Sequence, residues 1–272
     1  MVSGSTTVCC LIGDPVAHSL SPLIHNAGYQ ALGIDFIYVP FQARDIKPAI
    51  EAIRGLGIRG ASITVPHKVT AIPYLDRVDE EAREIGAVNT VVNNNGVLTG
   101  YNSDGTGARQ ALEEVTALAG KKAVLIGSGG AARAIAMALK SSGAKLVISN
   151  RTVEKARHLA EMVNADDSGG LDKLPLIASA DILINATSVG MWPKVNESVI
   201  PRELLHQGLT VFDIVYNPKE ETRLLTEAKE KGCPVVYGYK MLLYQAARQF
   251  ELFTGYRAPL PVMEHALIEA LG

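Results

Sequence analysis

The sequence predicts an α/β fold in two domains, and three observations predict it. Short aliphatic runs alternate with helix-length segments along nearly all of the 272 residues. Aromatic residues make up only 6% against 47% hydrophobic, so the core is aliphatic, as stacked β-α units require. The alternation also falls into two series, with a first boundary near residues 104–106.

In the first series, residues 8–12, 36–39 and 61–65 read as strands. Residues 21–32, 45–56 and 66–75 read as the helices between them. Residues 87–92 and 97–100 flank Asn93-Asn94-Asn95-Gly96 and read as a hairpin with a glycine turn. Residues 104–118 read as a helix, after which Lys121-Lys122 leads into the second series. Its strands are 123–126, 145–149, 182–186, 211–215 and 235–236, alternating with helices as in a parallel sheet covered on both faces. Residues 240–254 form a long amphipathic helix that follows the final strand and is free to pack back on the first domain.

Composition narrows the function. Lys plus Arg is 26 and Asp plus Glu is 28, a net charge of −2, which speaks against nucleic-acid and membrane-surface partners. No run approaches 18 apolar residues, and residues 1–7 carry no positive charge before a short apolar stretch, so neither a membrane span nor a signal peptide is expected. Cys9, Cys10 and Cys233 give no disulfide framework, which fits a cytoplasmic protein. The six histidines are too scattered for a metal site.

Residues 123–134 run from strand through a glycine turn into a helix: Gly127-Ser128-Gly129-Gly130-Ala131-Ala132 follows Ile126 and fits G-x-G-x-x-G/A with Ala132 last. Gly127 allows the tight turn, Gly129 lets the backbone approach a pyrophosphate, and small Ala132 lets helix and strand pack closely. The free N–H groups of the helix start suit phosphates, as in a Rossmann-type dinucleotide domain. The second strand of the series selects the cofactor. It ends Ser149-Asn150-Arg151-Thr152, about 20 residues past the turn, where an NAD enzyme places an acid. Arg151 stands there instead. Its guanidinium can pair with a 2′-phosphate, Thr152 can hydrogen-bond the same group, and Lys155 adds charge one turn on, so NADP(H) is preferred over NAD.

Three strand-to-helix junctions in the first series carry polar groups. Ser21-Pro22 reads as an N-cap and N1 pair, with Ser19 two residues before it. These hydroxyls at a helix start either hold a carboxylate or, for Ser21, cap the helix. In Ser62-Ile63-Thr64-Val65-Pro66-His67-Lys68, Lys68 falls in the first turn of the expected helix, where the dipole should lower its pKa and fit it for proton exchange; His67 reads as structural or surface. In Tyr101-Asn102-Ser103-Asp104, Asp104 is either an N-cap or a ligand of a substrate hydroxyl and the Lys68 ammonium. Asn89 is a polar residue in a β-rich run and needs partners there.

Taken together in their order along the chain, these motifs resemble the shikimate dehydrogenase family over nearly the whole length. The run from Gly13 through Ser19 and Ser21 to His25-Asn26 is similar to that family's carboxylate loop, and Thr64-Val65-Pro66-His67-Lys68 to its lysine motif. Asn89-Thr90 and Asn102-Ser103-Asp104 resemble further substrate motifs; Gly127 to Ala131 and Asn150-Arg151-Thr152 resemble its NADP motifs. Asn185 to Met191, Asp213-Ile214-Val215-Tyr216-Asn217-Pro218, and Gly238 through Met241 to Gln245-Ala246 complete the likeness.

The resemblance implies reversible, NADPH-dependent reduction of 3-dehydroshikimate to shikimate. It implies a substrate domain over 1–104 and 239–272 and an NADP-binding domain over 105–238. Ser19 and Ser21 would hold the carboxylate; Thr64, Asn89, Asp104 and Gln245 the ring hydroxyls, with Tyr216 nearby. Lys68 would be the acid/base, paired with Asp104. Gly127, Ser128, Gly129, Gly130, Ala131, Asn150, Arg151, Thr152 and Lys155 would bind the phosphates, and Thr187, Ser188, Ile214, Gly238 and Met241 would line the nicotinamide side. The expected partner is a small-molecule substrate, with no nucleic acid or membrane, for a monomer or homodimer. Two other readings are a quinate/shikimate dehydrogenase of dual substrate or cofactor use and a non-catalytic NADP-binding sensor; Arg151 speaks against the NAD part of the first, and Lys68 with Asp104 against the second. Ser62 departs from the family's frequent Asn, Ser103 from its common Thr, and Tyr239-Lys240 from small residues before Met241.

Overall fold

The structure is a computed structural model, and it describes residues 2–193, 195–216 and 221–272. The chain divides into two compact units, Met1–Ser103 with Gln245–Ala270 and Asp104–Tyr244 with Leu271–Gly272.

The first unit opens β1 (Thr7–Gly13), α1 (Ser21–Leu32), β2 (Phe36–Gln42), α2 (Ile46–Gly55) and β3 (Gly60–Ile63). Asp45 caps α2, its carboxylate accepting from Lys47 N at 3.0 Å. There follow β4 (Arg77–Val78), α3 (Glu80–Ile85), β5 (Thr90–Asn94) and β6 (Val97–Tyr101). The sheet order is β2-β1-β3-β5-β6-β4. β1 is parallel to β2 and β3, but β5 runs antiparallel to β3 and β6, so this sheet is mixed rather than wholly parallel. The reversal is made by Asn95 and Gly96, both left-handed at φ 52° and 89°, a two-residue turn whose twist matches the strands it joins. One core beneath it packs Ile12, Ile50, Ile53, Ile63, Val91 and Leu98.

The helix expected over 66–75 does not form. The segment is a series of turns closed by His67 N to Thr64 O and Ala71 N to His67 O, ending in a 3-10 turn at Ile72–Tyr74. Pro66 and Pro73, with β-branched Val65, Val69, Thr70 and Ile72 between and beside them, leave too little helical propensity in ten residues. No helix dipole therefore acts on Lys68 from its own segment.

The second unit begins with α4 (Asp104–Glu113) and continues β7 (Lys122–Ile126), α5 (Gly130–Ser141), β8 (Lys145–Ser149), α6 (Val153–Val163) and β9 (Asp167–Gly169). It closes with β10 (Ile182–Asn185), β11 (Thr210–Asp213), α7 (Arg223–Glu230) and β12 (Val235–Tyr237). Every pairing is parallel, in the order β12-β11-β10-β7-β8-β9. Counted from β7, that is the doubly wound order 3-2-1-4-5-6 read backwards. The sheet is aliphatic on both faces, as crossover helices demand.

The chain ends with α8 (Gly238–Thr254) and α9 (Leu260–Leu271). The first turns of α8 belong to the second unit: Met241 packs in its core, and Lys240 Nζ lies 3.3 Å from Glu114, which also accepts from the Tyr244 hydroxyl. From Gln245 onward the helix belongs to the first unit, where Arg59 Nε donates to Phe253 O at 3.0 Å. The seam thus falls after Tyr244, six residues beyond the expected one. α9, anchored by buried Met263 and Leu267, was not foreseen. No described helix is long and apolar enough to cross a membrane.

Candidate functional site

In the first unit, four strand termini bring polar residues to one edge of the sheet. β1 and β3 end there; β5, being antiparallel to β3, begins there, and β6 returns to it. The loops after β1 and β3 are tied together, Asp14 N donating to Val65 O and Thr64 N to Ile12 O, each at 2.9 Å. Val88 N donates to the Lys68 carbonyl at 2.8 Å, and Ile63 N to the Asn89 carbonyl at 2.8 Å. Half-buried Thr64 and Lys68 and buried Asn89 are thereby held as neighbours along this edge.

Ser19 and Ser21 lie at the start of α1. Ser21 is not an N-cap, since no side chain caps this helix; instead the Ser19 hydroxyl accepts from Ser21 N at 3.3 Å. The helix begins one residue earlier than the N-cap reading requires, with Pro22 still in its first turn. His67 is structural, its buried ring 2.6 Å from the Ala43 carbonyl.

Asn89 has buried partners. Its Oδ1 accepts from Ser103 N at 2.8 Å and from Thr90 Oγ1 at 2.7 Å, and its Nδ2 donates to Ser103 Oγ at 3.0 Å. Asn102 closes the same corner, donating to Ala87 O at 2.9 Å. Gln245, also buried, sits on α8 one turn before Gln249.

In the second unit the parallel sheet puts every strand's C-terminal end at a single edge, where doubly wound folds bind nucleotides. Gly127 has φ 121°, and a Cβ there would stand 2.6 Å from the Ala186 carbonyl, so only glycine fits between β7 and the chain leaving β10. Gly129, at the N-cap of α5, faces open space, and no side chain caps the helix. Its first N–H groups are left for a ligand. Ser128, Gly130 and Ala131 flank it, and Ala132 is fully buried against the sheet as expected. At the end of β8, Arg151, Thr152 and Lys155 are exposed with no acid among residues 149–152, and Asn150 Nδ2 donates to Thr152 O at 2.9 Å.

Beyond β10 and β11 a buried polar frame holds the next two loops. Asp213 accepts from Asn185 Nδ2 at 2.9 Å, from Val215 N at 3.1 Å and from Thr222 Oγ1 at 2.8 Å. Asn185 Oδ1 in turn accepts from Thr187 N and Oγ1. Burial overrides these donors and raises the Asp213 carboxyl from 3.8 to about 6. Thr187, Ser188, Ile214 and Tyr216 follow on these loops; Asn217 and Pro218 lie outside the described residues. Gly238 is packed so tightly that a Cβ would stand 2.4 Å from the Ile214 carbonyl, and Met241 follows it in α8.

Sequence reasoning did not assign the buried groups behind these edges: Tyr38, Ser62 and Gln249 in the first unit, Thr222 in the second. The available signal was a polar residue where the pattern calls for an apolar one, as at Ser62 within a four-residue strand buried throughout.

Residues 11–91 match the shikimate dehydrogenase substrate binding domain, 109–220 the shikimate / quinate 5-dehydrogenase family, and 238–268 the shikimate 5'-dehydrogenase C-terminal domain. The shikimate dehydrogenase (NADP(+)) of Moorella thermoacetica is 46% identical, covering 100% of this chain and 96% of its own. A solved shikimate dehydrogenase in complex with NADP+ superposes with a TM-score of 0.94 at 41% identity, over 100% of this chain and 98% of that one. The enzyme of Thermus thermophilus, solved with NADP(H) and shikimate, gives 0.91 at 36% identity, over 97% and 100%. With three successive family matches along the sequence and full-length likeness in both sequence and structure, this chain belongs to the shikimate dehydrogenase family.

Proposed function

We propose that this chain is an NADP-linked shikimate dehydrogenase that reversibly reduces 3-dehydroshikimate to shikimate, acting in the cytoplasm as a monomer or homodimer. The observation that carries the reading is the polar edge of the first sheet, where Thr64, Lys68 and Asn89 are tied together on a unit that matches the family's substrate binding domain. The relatives' names and bound ligands support the same substrate and cofactor.

The second unit fits NADP(H). Gly129 opens onto space a pyrophosphate can take, α5 offers uncapped N–H groups, and Arg151 with Thr152 and Lys155 stands exposed where an NAD enzyme would have an acid. Gly127, Ser128, Gly130 and Ala131 complete the phosphate cradle with Asn150, and Thr187, Ser188, Ile214, Gly238 and Met241 line the nicotinamide side. When bound, the cofactor supplies or accepts the hydride.

The protein's part is to fix a small polar ring in one pose and to handle one proton. Ser19 and Ser21 hold the ring's carboxylate, and Thr64, Asn89, Asp104 and Gln245 its hydroxyls, with Tyr216 beside them. Fixing the pose in this way can lower a barrier by roughly 7–11 kcal/mol. The Lys68 ammonium donates a proton to the oxygen that gains charge in reduction and takes it back in oxidation. Asp104 is the acid that the family resemblance pairs with Lys68. The assay is absorbance at 340 nm, crossing shikimate and quinate with NADP+ and NAD+. Shikimate with NADP+ should be the preferred pair, and Lys68→Ala should lower kcat by about 10²–10⁴-fold with little change in KM. A Lys68→Ala loss that appears only in KM would make Lys68 a binding contact and remove it from the proton transfer.

A further inference from the structure

We infer that Gln249 is a positioning residue for the substrate site, setting the orientation of the Asn89 amide through Thr90. This rests on the proposed role of Asn89 as a ligand of a ring oxygen. Gln249 is 1% exposed, in the part of α8 that belongs to the first unit. Its Nε2 donates to the Asn89 carbonyl at 3.2 Å and to Thr90 Oγ1 at 3.0 Å, and its Oε1 accepts from Ser62 Oγ at 2.8 Å. Ser62 Oγ in turn accepts from the Tyr38 hydroxyl at 2.6 Å, and the Tyr38 ring is stacked on His25 with centroids 4.3 Å apart.

The direction of every bond in this chain is fixed by one group. A backbone carbonyl can only accept, so the Gln249 nitrogen must face Asn89 O. Its oxygen then faces Ser62, which must donate, leaving Ser62 as the acceptor for Tyr38. The second Nε2 proton occupies Thr90 Oγ1, so the Thr90 hydroxyl spends its own proton on Asn89 Oδ1 at 2.7 Å. With Ser103 N donating to the same oxygen, Asn89 Oδ1 is held on the side of Thr90 and Ser103, and the orientation of the whole amide is fixed with it. The orientation of the Asn89 amide is thus set from behind, by a buried helix residue of the first unit.

The test is Gln249→Met, which keeps the length of the side chain and removes both polar ends. KM for shikimate should rise roughly 10-fold, the loss of about one hydrogen bond, while KM for NADP+ and kcat change less than about 2-fold. Thr90→Val removes the same link from its other end and should move KM in the same way, so the expectation survives a Gln249→Met chain that does not fold. Variants that lose thermal stability yet keep the wild-type KM for shikimate would show a structural role only and overturn the inference. A wild-type protein without shikimate oxidation by NADP+ would instead overturn the functional reading, and the inference with it.

Discussion

Asp213 is a carboxyl under two opposed pressures. Three donors, Asn185 Nδ2, Val215 N and Thr222 Oγ1, favour its anion, while complete burial disfavours it. Burial wins, and the carboxyl rises from 3.8 to about 6. The folded protein therefore binds this proton more tightly than the unfolded chain does. Stability from the neutral acid is complete below 3.8 and is lost as pH rises through about 6. The full effect is about 3 kcal/mol, of which roughly 1 kcal/mol falls between pH 5 and pH 8. Asp213→Asn isolates it. The amide oxygen can keep the bonds from Asn185 and Val215, and the amide nitrogen can donate to Thr222 Oγ1, reversing one bond in a group that no longer titrates. In urea unfolding at a series of pH values, the variant should gain roughly 1 kcal/mol on the wild type from pH 5 to pH 8. A difference that stays flat over that range, or runs the other way, would mean that the donors outweigh burial and that Asp213 is an ordinary anion.

Arg151→Ala should raise KM for NADP+ by about 10-fold or more while leaving KM for NAD+ within about 2-fold, measured in the same 340 nm assay; equal losses for both would dissociate Arg151 from the 2′-phosphate. Gly127→Ala sets a Cβ 2.6 Å from the Ala186 carbonyl at a φ of 121°, and should lower the unfolding free energy by at least about 1–3 kcal/mol. An unchanged urea midpoint would show that β7 and the chain after β10 can separate freely.

Much of this was legible in the sequence because two signals were local. Hydrophobic alternation marked five of the six strands of the second unit within a residue or two, missing only the polar β9, and the run from Ile126 to Ala132 located its nucleotide turn between β7 and α5. The segment 66–75 misled because its apolar spacing imitates a helix, while its two prolines and three β-branched residues favour turns. Gln249 was illegible for a different reason. Its partners Ser62, Asn89 and Thr90 are about 160 to 187 positions away, and no periodicity reports which buried polar group on one element will meet another across a core. Ser62 looked like a departure from a motif when it is the partner that Gln249 requires.

The two units solve the same problem, gathering polar groups at a sheet edge, by different means. A parallel sheet does it without further device: each crossover returns the chain so that all C-terminal strand ends share an edge, and motif order along the chain becomes position along that edge. In the first unit only β1 and β3 reach the edge that way. Asn89 is there because β5 starts from that edge, antiparallel to β3, and Ser103 because the hairpin returns the chain to it, with Thr90 opposite Tyr101 and Asn94 opposite Val97 across the Asn95-Gly96 turn. The register is therefore part of the site. Shifting it by one residue would turn Val91 and Leu98 out of the core and separate Asn89 from Ser103, whose backbone N–H holds the amide oxygen. The apolar face of the hairpin thus resists any movement of the polar corner at its end, so the packing of Val91 and Leu98 also fixes which atom Asn89 presents.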